Sequence, residues 1–131
     1  MEKQVINPWT WQDRFGFVQA NRIMGAEQVL YCAGQTSVDG DGNPLHVGQM
    51  QEQALQAIDN LETVLRAGGF ELADIVRLTT YVTDVDAYRQ AAPAVSTRLG
   101  HAGVKQAASL IGVARLALPE LLVDVEATAA R

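Results

Sequence analysis

A chain of 131 residues and 14.1 kDa scales to roughly 6,700 Å2 of folded surface against roughly 20,000 Å2 extended, enough for one domain with a core of its own over residues 1–131. Ten Lys and Arg against fifteen Asp and Glu leave a net charge of -5 and a pI near 4.8, which argues against an electrostatic grip on nucleic acid or anionic lipid. One cysteine, Cys32, and two histidines, His46 and His101, exclude a disulfide scaffold and a Cys/His zinc module, so no metal or cofactor is expected.

Two strand-like runs come first, Phe17 to Met24 and Gln28 to Ala33, and Gly25 and Ala26 between them predict a hairpin. The cluster Asp39, Gly40, Asp41, Gly42, Asn43, Pro44 is rich in turn formers and predicts a solvent-facing loop. From Gln49 the period changes. Met50, Ala54, Ala57, Ile58, Leu61, Val64 and Leu65 form one apolar helical stripe, with Gln53, Gln56, Asp59 and Glu62 off it. Gly68 and Gly69 supply the left-handed residue that ends such a helix.

A short run, Leu72 to Val76, leads into Arg77 to Thr83, where apolar and polar residues alternate as on a strand with one face buried. Asp84 or Asp86 can cap a second helix with Tyr88, Ala91, Ala92, Val95 and Leu99 inward and Gly100 as its stop. Pro93 predicts either a kink or a regular part starting near Ala92. Ala107 to Leu116 and Leu122 to Ala129 are the last strands, close enough in sequence to pair antiparallel.

The order β-β-α-β-α-β-β predicts an α+β domain, with both helices on one face of a single mixed sheet because each crossover is right-handed. The other face is left bare. Ala107 to Leu116 is apolar at both parities, as for a strand covered on both sides. Hydrophobic residues make up 48% and charged residues only 19%, below the ~25% usual in soluble domains, so a neighbouring subunit is expected to cover that face. Apolar runs are short and Glu2 and Lys3 follow Met1, so neither a membrane span nor a secretory leader is expected, and the chain reads as cytoplasmic.

The segments Phe15 to Ala20, Ala33 to Gly42, the helix with Gln53, Asn60 and Leu61, its glycine stop, Ala73 to Asp84, and the ending Gly112 to Leu116 followed by Val123 to Ala129 resemble the YjgF/Rid family of reactive-intermediate deaminases, also described as endoribonuclease L-PSP-like. The resemblance spans nearly the whole chain. It implies a chorismate-mutase-like fold, a homotrimer, and small-molecule clefts at the subunit interfaces. It also implies hydrolysis of enamines and imines to 2-oxo acids and ammonia, which needs an arginine fork for the substrate carboxylate and a carboxyl group that positions or activates water.

Carried over position by position, the resemblance places Ala108 where that arginine stands, Phe17 at a tyrosine, Ala33 at a serine, Ala92 at an asparagine and Leu110 at a common cysteine. Gly34, Gln35 and, at the cleft carboxylate, Asp124 remain, with Glu126 two residues on. Arg115 is seven residues from position 108 on the same predicted strand and therefore of opposite parity, while Arg14, Arg22 or Arg98 could enter from other elements. A largely apolar cleft of this kind suits a bulkier, less charged ligand than a two-carbon amino-acid fragment.

Each feature also has a plain structural reading. Asp124 and Glu126 fit ordinary half-buried alternation, Gln35 fits a strand-end amide satisfying local backbone, and Cys32 fits a buried, inert thiol. Trp9 and Trp11 are expected to anchor the N-terminal segment by burial, and Phe17 to wall the cleft. His46 and His101 lie in loop-like stretches without partners. Two functions stay open: an imine or enamine hydrolase for substrates without a small free carboxylate, and a non-catalytic trimer that binds a metabolite. Ribonuclease activity has no support in a chain without a basic stripe or stacking platform.

Overall fold

The computed structural model describes residues 1–131. In chain order the elements are β1 (Glu2–Ile6), β2 (Ala20–Met24), β3 (Val29–Thr36), α1 (Met50–Ala67), β4 (Ile75–Val82), α2 (Val85–His101), β5 (Ala107–Gly112) and β6 (Val123–Ala130), with single 3-10 turns at Asp13–Phe15 and Leu72–Asp74. The α+β class is the expected one. The strands form two sheets rather than one, a mixed sheet in the order β3-β6-β4-β5 and a separate pair β1-β2.

Both pairings predicted for neighbouring strands are corrected. β2 pairs antiparallel with β1, an element absent from the sequence reading, while β3 pairs with β6. The link after β2 is diverted because the amides of Glu27 and Gln28 both donate to the Arg131 carbonyl, and the Arg131 amide donates back to Gln28. That ties the start of β3 to the end of β6 and forecloses the hairpin. At the other end, β5 lies parallel to β4, and β6 inserts antiparallel between β4 and β3. β5 stops at Gly112, so Val113 to Leu122 is a connection and not strand.

Both helices pack on one face of the mixed sheet. Ile58, Leu61 and Leu65 of α1, Tyr88, Val95 and Leu99 of α2, and Leu78, Val82, Val123 and Val125 of the sheet share one cluster of 19 buried residues. Each helix ends in the same way, with glycine in the left-handed region. Gly69 (φ 83°) follows α1 and Gly103 (φ 75°) follows α2. The amides of Phe70 and Val104 reach back five residues to the carbonyls of Leu65 and Leu99, and those of Gly69 and Gly103 reach back three, to Arg66 and Gly100. The second helix therefore runs past Gly100, the expected stop. It also runs through Pro93 from a start at Val85, capped by the Asp84 carboxylate, which accepts from the Ala87 amide at 3.0 Å. His101 is accordingly the last helical residue rather than part of a loop.

Gln53, predicted to lie off the apolar stripe, is fully buried. Its amide nitrogen donates to the carbonyls of His46 (3.3 Å) and Glu120 (2.9 Å), and its oxygen accepts from the Leu122 amide (2.9 Å). This one side chain fastens the connection before β6 to α1. Gln53→Leu removes three part-buried hydrogen bonds that tie the connection to α1 and is expected to lower unfolding free energy by about 1–3 kcal/mol, read from urea denaturation. No helix is long and apolar enough to cross a membrane.

Candidate functional site

Strand register arranges the face of the mixed sheet opposite the helices into rows. Tyr31, Thr128, Arg77 and Ala107 form one row; Glu126, Thr79 and Ser109 the next; Thr36, Asp124, Tyr81 and Ile111 the third. This open face is mostly polar. The Tyr81 hydroxyl donates to Glu126 Oε1 at 2.8 Å, a diagonal contact between β4 and β6. That bond, which favours the protonated phenol, is the largest cause of the raised Tyr81 pKa, ahead of burial and the Glu126 charge. A depression of about 250 Å3 beside the pair is lined by Tyr31, Arg77, Thr79, Glu126 and Thr128 among others.

Asp124 is half-buried, and its Oδ1 is inaccessible and has no hydrogen-bond partner. Burial pushes its carboxyl above the ordinary range, and the Glu126 charge adds to the effect. The cause of the burial is β3. Between Cys32 and Gln35, β3 carries one residue more than β6, a bulge in which Ala33 and Gly34 together oppose Glu126, and Gly34 lies under the carboxyl of Asp124. A Cβ on Gly34 would overlap Asp124 Oδ1, so the carboxyl is seated directly against the glycine backbone and any larger residue there would have to displace it. Beyond the bulge Gln35 pairs with Val125, and its amide donates to the Ala33 carbonyl at 3.2 Å. That is the local role of a strand-end amide.

The remaining predicted cleft residues lie elsewhere. Ala108 and Leu110 are in register with Leu78 and Thr80, and so face the helix side at the edge strand β5. Ala92 of α2 packs against the core on that same side. Phe17 sits beyond the end of β5, where its neighbour Val18 bridges to Ala107, and its ring meets Trp11 edge-on at 5.9 Å. On one protomer the predicted residues thus fall into two separate groups. Ala33, Gly34, Asp124 and Glu126 form one, and Phe17, Ala92, Ala108 and Leu110 the other.

The three arginines considered as substitutes are occupied. Arg98 pairs with Asp59 (3.6 Å) and Glu62 (3.2 Å) of α1, Arg22 donates to Gln4 Oε1 (3.2 Å), and Arg14 lies over the Phe15 ring (4.7 Å). The parity argument for Arg115 lapses, because that residue stands beyond the strand in an exposed connection. Trp9 and Trp11 are 59% and 56% exposed rather than buried. The anchor of the N-terminal segment is Gln12, fully buried between the Trp9 carbonyl and the Gln19 side chain. Cys32 is buried in the core, and desolvation raises its thiol pKa. Sequence reasoning missed Tyr81. Its place on the polar parity of β4 was legible, but its partner was not, because that depends on β6 lying beside β4.

Known proteins share this fold. A family model described as endoribonuclease L-PSP matches residues 14–131. The fold superposes on a crystal structure of YyfB, a protein of unknown function of the conserved Rid family from Yersinia pestis, with a TM-score of 0.86 and 38% identity over all of both chains. A RutC family protein of Pyrococcus horikoshii is 27% identical over 109 residues, 83% of this chain and 84% of that one. A rat protein named 2-iminobutanoate/2-iminopropanoate deaminase is 30% identical over 60 residues, 46% of this chain and 44% of that one.

Proposed function

The chain belongs to the YjgF/Rid family, the family that the endoribonuclease L-PSP model describes, and from that premise we propose that it hydrolyses the C=N bond of imines, including the imine tautomers of enamines, that carry no carboxylate next to the reacting carbon. The observation that carries the proposal is the seat of the Asp124 carboxyl, with Oδ1 inaccessible and without a partner against Gly34, so that Oδ2 is the oxygen left to meet a ligand. A carboxyl group in such a seat holds its proton more tightly than usual and suits proton transfer to nitrogen. Water adds to the C=N carbon, the π electrons pass to nitrogen, and nitrogen takes the Asp124 proton while the carboxylate recovers one from the added water. In the second stage Asp124 protonates the leaving amine, ammonia departs as C=O forms, and the Asp124 carboxylate takes back the hydroxyl proton, which restores the starting acid. Gly34 and the backbone of the bulge line the approach.

The two groups of residues are half-sites that meet when a second copy of the chain sets its β5 edge beside the Asp124 of the first, in a homotrimer with three clefts. Support comes from the surface. At 7402 Å2 it exceeds the roughly 6,700 Å2 scaled for a compact monomer of this mass, and Leu110, Ile111, Trp9, Trp11 and Phe15 are exposed at and beyond the sheet edge. With Ala108, Leu110, Ala92 and Phe17 on the facing wall, the cleft lacks a fork for an adjacent carboxylate and offers apolar room instead.

Ammonia release from a panel of imines tests this reading. Turnover of bulky imines without an adjacent carboxylate, exceeding that of 2-aminoacrylate, is expected. Rapid 2-aminoacrylate hydrolysis would overturn the substrate class, and binding of the panel without ammonia release would make the chain a metabolite binder.

A further inference from the structure

The half-site on the β5 edge carries a cation that the comparison of positions did not consider. Successive residues of a helix are rotated by about 100° and rise about 1.5 Å, so the contacts of α2 fix where each of its side chains points. Arg98 points at α1, where it pairs with Asp59 and Glu62. Nine residues earlier, Arg89 is rotated by about 180° from Arg98 and points away from α1. Two contacts show what lies on that flank. Val85 Cγ2 stands 3.0 Å from the Cβ position of Gly112 at one end of β5, and Ser96 Oγ stands 3.4 Å from that of Gly16, which accepts from Gln106 just before the other end. Arg89 is within about 40° of Val85 and about 20° of Ser96 in rotation, and lies between them along the axis.

Four residues past Val85, Arg89 is about 6 Å down the helix, which matches two residues of strand and sets it level with Leu110. Ala92, three residues on, is its neighbour on the helix surface. Arg89 is exposed, and it takes part in none of the four ion pairs of the protein. A free guanidinium therefore overhangs the same edge on which Ala108 and Leu110 lie, displaced by about one helical turn from Ala92.

We propose that Arg89 is a specificity-determining residue of the cleft and binds a carboxylate that is several bonds away from the reacting carbon of the ligand. This rests on the cleft assignment given above and names its ligand class: oxo acids, and the imines that yield them, whose acid group is remote rather than adjacent. Such a ligand puts its chain along the apolar wall of Ala92 and Leu110 and its acid group on the guanidinium fork, a match of planar donors to planar acceptor.

Isothermal titration with three carbonyl probes tests the proposal without requiring turnover. They are 4-oxopentanoate, its uncharged methyl ester, and pyruvate, whose acid group is adjacent. The native protein is expected to bind 4-oxopentanoate at least about tenfold more tightly than either of the others. Arg89→Ala should erase the preference over the ester, and Arg89→Lys should keep part of it. Equal affinities, absence of binding, or a preference that survives Arg89→Ala would each overturn the assignment. Failure of the hydrolase reading shows separately, as binding of 4-oxopentanoate without ammonia release from any imine.

Discussion

Asp124→Asn is expected to reduce ammonia release from imine substrates by about 10²- to 10⁴-fold, the usual worth of a positioned acid–base group, while binding of the carbonyl products changes little. The asparagine keeps the shape of the side chain against Gly34 and replaces the titratable carboxyl with a neutral amide that does not exchange a proton with the substrate. Stability is expected to move the other way. Burial, and then the Glu126 charge, raise the Asp124 pKa in the folded protein, so the folded state holds more protons than the unfolded state between the ordinary carboxylate value and the raised one. Stability contributed by this group is then present below that window and lost as pH rises through it. Asparagine has nothing to lose there, so Asp124→Asn gains on the native protein as pH rises through the window and keeps its advantage above it. Urea denaturation over a pH series reads this directly. Parallel curves together with full activity would show that Asp124 is an ordinary half-buried carboxylate, as plain alternation along β6 allows.

The helices were the most legible part of the fold because their signals are local. The stripe from Met50 to Leu65, the Asp84 cap and the paired glycines after α1 all act within a few residues. What misled was the assumption that neighbours in sequence pair. The β2-to-β3 hairpin is lost to three backbone hydrogen bonds with Gln28 and Arg131, more than one hundred residues apart in the chain. The short charged β1 does not read as a strand until β2 pairs with it. Gln53 reads as off the apolar stripe because a glutamine looks polar until its three partners are known. Asp124 and Gly34 are named in the sequence by position alone, and the bulge that presses one on the other is a property of β3 and β6 together. Arg89 escaped for a related reason. Only the contacts of Arg98, Val85 and Ser96 reveal the rotation of α2, and a sequence carries no such marker.

Ala108→Arg is expected to restore what this cleft lacks and to tighten pyruvate binding by roughly 10- to 150-fold, the equivalent of about 1.5–3 kcal/mol for hydrogen bonds to a charged group. Position 108 is suited to the change. It lies on the edge strand, half-buried, in register with Leu78 and on the side of Ala92, where small side chains leave room for a guanidinium. The same seat makes the cation costly when empty, because a partly buried guanidinium without an acceptor loses solvation that nothing nearby returns. The unliganded variant should therefore melt below the native protein, and saturating pyruvate should raise its melting temperature by more than it raises that of the native protein. Lysine at 108 should recover less of the affinity, since a point charge cannot make two parallel bonds to a carboxylate. The double variant Ala108→Arg with Arg89→Ala separates the two cations. It should prefer pyruvate and have lost its preference for 4-oxopentanoate over the ester, so that the distance from acid group to carbonyl is read by which arginine is present. If instead Ala108→Arg leaves the pyruvate titration unchanged, the β5 edge does not face the ligand, and the cleft must be built from other surfaces of the protomer.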